Sequence, residues 1–150
     1  MKKLIALAVT LLFSITGFSQ IKMLEVTHLE RLGRVGTNDV YVQKEGNSYT
    51  FYYKNIENPD VKESSVRNFS FKNLEGDYEG FYKIIMDGFN ANPLYDIKLE
   101  LPNDYVWLHY IRSTGNKLTV QFMTNNKATG LTGISVPLTI DDIKKLFEKA

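Results

Sequence analysis

Residues 40–53, VYVQKEGNSYTFYY, constrain this chain more than any other stretch. Both arms are rich in Val, Tyr, Phe and Thr, which suit a pleated, half-buried surface, and Gly46-Asn47 sits between them as a two-residue turn. A turn at that place pairs Val42 with Phe51 and Val40 with Tyr53 on one face. It pairs Tyr41 with Tyr52 and Gln43 with Thr50 on the other. One face is apolar and the other polar with aromatic tips, as in a sheet covered on one side only.

Further elements follow the same logic. Asn55 to Ser65 is polar and carries Asn58-Pro59-Asp60, a loop signal. Val66 to Lys72 reads as a short strand with Phe69 and Phe71 on one face. Tyr78, Phe81, Tyr82, Ile85 and Phe89 then recur at helical spacing, with Asn73 or Asp77 to cap the start and Asn92-Pro93 to end the helix. Tyr95 to Leu101 alternates strictly, Pro102-Asn103-Asp104 turns the chain, and Tyr105 to Arg112 and Lys117 to Thr124 are strands around a turn at Ser113 to Asn116. Ile134 to Leu138 is a last strand, placed at an edge by Pro137. Thr139-Ile-Asp-Asp142 resembles a capping box, and Ile143, Leu146 and Phe147 form the apolar face of a closing helix. Leu24, Val26 and His28 alternate like a strand, although Leu24, His28, Leu29 and Leu32 also fit a helix; the strand is favoured, with Gly33 and Gly36 bracketing a turn.

The resulting order is four strands and a helix, twice over. It predicts an α+β fold, mainly an antiparallel sheet of hairpins with two helices packed on one face, and raises a β4α–β4α pseudo-repeat. At 150 residues the chain has the length of one domain, expected over residues 20–150.

Residues 1–19 are expected to be cleaved. Lys2 and Lys3 precede an apolar run from Leu4 to Ile15, and Gly17 and Ser19 are small residues at the −3 and −1 positions of a cut before Gln20. That is the layout of a secretory signal peptide, and the run is shorter than the roughly 20 residues of a spanning helix. The short positive stretch looks bacterial, so the expected location is the periplasm or the medium. The trimmed chain loses two of 18 bases and none of 17 acids, leaving a net charge of −1. No excess of positive charge marks a nucleic-acid partner. With no cysteine, a disulfide scaffold, a thiol nucleophile and a Cys-type zinc site are excluded.

Strand 105–112 has two apolar faces. One carries Trp107, His109 and Ile111; the other carries Val106, Leu108 and Tyr110. A two- or four-residue loop around Gly115 aligns Trp107, His109 and Ile111 with Leu118, Val120 and Phe122. A three-residue loop at 102–104 aligns Leu99 with Trp107. The expectation is therefore a buried His109 and an outer patch of Val106, Leu108, Tyr110 and Met123, apolar enough to need a cover or a partner.

Chemistry is sparse. His109 beside Trp107 is the first candidate general base, and a core or half-buried imidazole hydrogen-bonded to a neighbour is the plainer reading. His28 is weaker. The two histidines belong to no metal-ligand pattern, so no metal or cofactor is expected. No nucleophile elbow or phosphate loop is present. Asp96, Glu100, Glu75, Glu79, Asp141 and Asp142 lie on polar strand faces or at helix starts, where solvation and capping explain them. Asn68-Phe-Ser70 matches a glycosylation sequon inside a strand.

The positive anomaly is nine Tyr, nine Phe and one Trp. Tyrosine combines an apolar ring with a polar tip and favours binding surfaces. The expected function is a secreted non-enzymatic binding or interaction domain, with Tyr41, Tyr52, Val106, Leu108 and Tyr110 as its surface. The ligand would be a protein, a glycan or a small apolar molecule. The alternatives are a small hydrolase or isomerase using His109, and a self-associating protein whose outer face forms a homodimer.

Overall fold

The computed structural model describes residues 28–57, 65–91 and 96–150. The signal-peptide segment, the 58–60 turn, the helix end at Asn92-Pro93 and the strand reading of Leu24 and Val26 lie outside these residues. Among the described residues eight strands form two antiparallel four-stranded sheets, with a helix after each.

Sheet 1 takes β1 (Leu29–Val35), β2 (Val40–Glu45), β3 (Ser48–Lys54) and β4 (Val66–Lys72) in that order. The β2–β3 hairpin has the four expected pairs, Val42–Phe51, Val40–Tyr53, Tyr41–Tyr52 and Gln43–Thr50. Gly46 adopts φ 59°, which the tight turn requires and glycine takes without steric cost. β1 is one strand with a bulge between Arg31 and Arg34. Gly33 therefore lies inside a strand, and the turn is at Gly36 to Asp39.

Helix α1 (Asp77–Ala91) begins where Asn73 Oδ1 accepts the Tyr78 N–H at 3.1 Å, while Asp77 Oδ2 accepts the Leu74 N–H at 2.9 Å. Of the two expected caps, Asn73 holds a helix N–H, whereas Asp77 binds the turn before the helix; Asp77 and Glu79 complement the positive end of the helix.

Sheet 2 takes β5 (Ile97–Glu100), β6 (Asp104–Arg112), β7 (Leu118–Asn126) and β8 (Thr132–Ile134) in order. Ser135 to Leu138 continues past β8 as an irregular segment with one bridge, Leu138 to Val120. Helix α2 (Ile140–Leu146) starts on the expected capping box: Asp142 N–H donates to Thr139 Oγ1 at 3.2 Å and Thr139 N–H to Asp142 Oδ2 at 2.9 Å.

The helices cross over. α1 follows sheet 1 but sets Gly88 against Tyr110 of sheet 2, and α2 follows sheet 2 but lays its last turn on Gly33 of sheet 1. At 15 and seven residues they are unequal, and the pseudo-repeat does not extend beyond the element order. The inner faces meet through Phe51 and Phe69, whose rings lie 6.3 and 5.4 Å from Phe122. Phe81 of α1 packs edge-on to Phe51 and Phe69. A second seam runs from the end of β3 to β8. Ile56 N–H donates to Ile134 O at 2.9 Å, Arg67 Nε to Thr132 O at 3.0 Å, and the Tyr53 hydroxyl bonds Thr124 Oγ1.

The expected face of β6 is reversed. The loop before it is two residues, closed by Leu101 N–H to Asp104 O at 2.8 Å. The loop after it is three residues, closed by Ser113 N–H to Lys117 O at 2.9 Å, with Gly115 at φ 94° and Asn116 at φ 65°. Both loops differ by one residue from expectation, so β6 alone turns over while β5 and β7 keep their faces. Val106 pairs with Leu99 and Thr124, and Leu108 with Ile97 and Phe122. Val106 and Leu108 are wholly buried, and Tyr110 points inward, donating its hydroxyl to Ile85 O at 2.7 Å. Trp107 and His109 point outward.

Candidate functional site

Of the five residues expected at a contact surface, two lie on an outer face. Tyr41 and Tyr52 are half-buried cross-strand partners on sheet 1, stacked at 5.0 Å with 12° between their planes. The guanidinium of Arg31 sits 4.8 Å from the Tyr41 ring. Val106, Leu108 and Tyr110 belong to the interior instead. Burial pushes the Tyr110 hydroxyl well above the ordinary tyrosine range, with Asp87 adding to the shift. The outer patch built from Val106 and Leu108, and the homodimer drawn from it, lose their residues.

What occupies the outer face of β6 is Tyr105, Trp107 and His109. The Tyr105 and Trp107 rings are 6.2 Å apart and tilted by 55°. Lys98, the cross-strand partner of Trp107 on β5, places its ammonium 4.4 Å from the Tyr105 ring and 5.1 Å from the Trp107 ring. Lys127 reaches Tyr105 at 5.0 Å and bonds Glu100 at 2.9 Å, which holds the Glu100 carboxyl below its ordinary range. His109 is not on the buried face; it is the half-buried, hydrogen-bonded imidazole of the plainer reading. Its side chain is 38% exposed, and Nδ1 is 2.5 Å from Asp96 Oδ1. The pairing leaves Nε2 as the nitrogen available to anything else.

Two concavities lie near these elements. The smaller, about 270 Å³, is lined by Trp107, Met123, Asp96, Glu57, Asn125 and Thr132, among others, at the seam between the outer face of sheet 2 and the end of β3. Glu57 accepts the Thr132 hydroxyl there, at 3.0 Å to Oε2.

The larger is a groove of about 790 Å³ between β4, α1 and the β5–β6 turn. β4 and β5 are the edge strands of their sheets, so the groove runs where the two sheets leave their edges unpaired. Phe71, Phe81, Leu99 and Leu101 contribute apolar walls. Leu74 and Ile84, at 72% and 38% exposure, stand at the rim with Lys72, Glu75, Asp77 and Glu100. Gly80 opens the helix side: a Cβ built there meets nothing within 4 Å. Sequence reasoning missed this groove, because its walls come from three separated segments. The available signal was Leu74, an apolar residue in a polar turn.

Among the described residues no group of three His, Asp or Glu side chains is placed to hold a metal ion, and no helix is long and apolar enough to cross a membrane. Comparison with protein-family models, with curated proteins and with solved structures gives no match.

Proposed function

We propose that this chain is an exported, non-enzymatic binding domain whose ligand is a small apolar or amphipathic molecule held in the groove between β4, α1 and β5. The observation that carries the reading is the groove itself. Its volume of about 790 Å³ falls in the range of small-molecule sites, and its walls are apolar with a few polar groups at the rim. Two large apolar side chains kept in water at that rim are what a bound apolar molecule would cover.

Gly80 offers a clean test. It is helical, lines the groove, and would carry a Cβ without a clash, so Gly80→Phe is the substitution chosen to plug the groove. N-phenyl-1-naphthylamine, a neutral apolar fluorophore, is expected to bind the parent chain saturably and the variant at least tenfold more weakly, with no loss of thermal stability. Binding unchanged in Gly80→Phe, or no binding to the parent chain, overturns the assignment. Export is tested separately: the protein recovered outside the cytoplasm should begin at Gln20, and a chain retained whole inside the cell removes that part of the reading.

A second reading rests on Asp96. A carboxylate 2.5 Å from His109 Nδ1 favours the tautomer that leaves Nε2 free to take a proton, as a general base requires. Hydrolysis of activated esters that is lost in His109→Gln would support it; activity equal in the two proteins would not.

A further inference from the structure

We propose that the cleft beside Trp107 is a second binding site, separate from the apolar groove, and that it takes an organic cation: an ammonium group on an apolar body. The shape of the outer face leads there. Trp107 projects from an inner strand of the sheet between Lys98 on β5 and Met123 on β7. The cleft is built mostly from β7 and β8 on the flank away from the lysine, with Asp96 and Glu57 completing its lining.

The chemistry of that lining is one-sided. Two carboxylates, an indole and a thioether face the cleft together with the polar side chains of Asn125 and Thr132, and among the described residues no lysine or arginine lines it. Arg67 approaches from the interior and spends its Nε on the Thr132 carbonyl. An aromatic face carries negative charge density, and a cation within ~6 Å of the ring centroid is attracted to it. The carboxylates add Coulomb attraction for the same sign of charge. A neutral polyol would gain hydrogen bonds here but none of that attraction.

The molecule already uses this ring for a cation. The Lys98 ammonium, 5.1 Å from the Trp107 centroid, is an internal counterpart of the proposed ligand. At about 270 Å³ the cleft accommodates a head group rather than a whole drug-sized molecule.

The chain carries one tryptophan, so emission excited at the red edge of the indole band, where its nine tyrosines do not absorb, reports this site alone. The test titrates the intact protein with choline, with n-butylammonium and with 3,3-dimethylbutan-1-ol, the neutral isostere of choline. Both cations are expected to change Trp107 emission saturably, and the neutral isostere to bind at least tenfold more weakly. The tighter of the two cations tells a quaternary head group from a lysine-like primary amine. Glu57→Gln should weaken choline several-fold and leave the isostere unaffected, with an unchanged circular dichroism spectrum as the check on folding. Lys98→Gln should tighten choline about two- to fivefold by removing a like charge held beside the indole. Equal binding of choline and its isostere overturns the proposal, as does an emission that no cation changes. A response to methyl glucoside without one to choline overturns it in favour of a glycan. The groove test at Gly80 is independent, so either site can fail alone.

Discussion

The two sheets place their aromatic side chains differently. Sheet 1 turns Tyr49, Phe51, Tyr53 and Phe69 inward, stacking Phe51 on Phe69 at 5.1 Å, and its outer pair, Tyr41 and Tyr52, lies flat ring on ring across two strands. Sheet 2 fills its interior mainly with Val106, Leu108, Val120 and Leu138 around the single phenylalanine Phe122. Its outer pair, Tyr105 and Trp107, comes from one strand, two residues apart, so the rings stand side by side and tilted. Cross-strand neighbours can satisfy each other's faces; same-strand neighbours cannot. In sheet 2 the uncovered faces are taken by lysine ammonium groups, and the same geometry makes Trp107 available to an outside cation.

If the ring-filled interior of sheet 1 anchors the fold, truncation there has the largest effect. Phe51 has no exposure and touches the rings of Phe69, Phe71, Phe81, Phe122 and Phe147. Phe51→Ala should cost about 3–5 kcal/mol by urea denaturation, and Val120→Ala in sheet 2 distinctly less, because fewer atoms leave the core. Equal losses would mean that the interior of sheet 1 is not the dominant one.

The close approaches of the two helices sharpen the contrast. A Cβ on Gly33 would fall 2.1 Å from the Leu146 carbonyl oxygen, backbone against backbone. On Gly88 it would fall 2.0 Å from the Tyr110 hydroxyl, the tip of a side chain. Neither clash can stand, but only the tyrosine can swing away. Gly33→Ala should therefore cost on the order of 3 kcal/mol and Gly88→Ala about 1–2 kcal/mol, after the gain in helix propensity at Gly88. Tyr110→Leu should relieve the second and leave the first unchanged.

The seam between the sheets responds to alkali. Burial raises the Tyr53 hydroxyl from 10.0 to about 12, against the opposing effect of its Thr124 bond and of Arg67. A raised folded-state value favours the protonated form in the native protein. The corresponding stability is fully present below pH 10 and is lost as pH rises from about 10 to about 12. The loss is on the order of 2 kcal/mol. Tyr53→Phe should be less stable than the parent at neutral pH and flatter across that window, as followed by urea midpoints at successive pH values.

Why the β2–β3 hairpin of sheet 1 was readable from sequence, and β1 and β6 were not, has a physical answer. In the β2–β3 hairpin the turn is two residues, and only one face of each arm is suited to burial, so register and turn agree. In β6 both faces are apolar, and register passes entirely to the loops. The left-handed conformations of Gly115 and Asn116 make the later loop three residues. The face of β6, the interior placement of Val106 and Leu108, and the exposure of His109 all follow from that one count. The helix caps were legible because they are local. The groove, the Asp96–His109 pair and the lysine on Trp107 were not, since each joins residues from different strands or segments.

The outer pairs give the smallest expected effect and the most direct comparison. Tyr41 and Tyr52 stack on each other and carry Arg31, so Tyr41→Ala removes a cross-strand ring contact and a cation–π contact together. The expected loss is about 0.5–1.5 kcal/mol. Trp107 lacks a stacked partner, and what it holds, Lys98, is a mobile cation. Trp107→Leu keeps an apolar residue on the strand and should cost less than about 0.5 kcal/mol, while abolishing choline binding measured by calorimetry. A Trp107→Leu loss as large as that of Tyr41→Ala would mean that the indole is fixed in the sheet for packing. Its open face would then be incidental, and the cleft would lose its reason to bind.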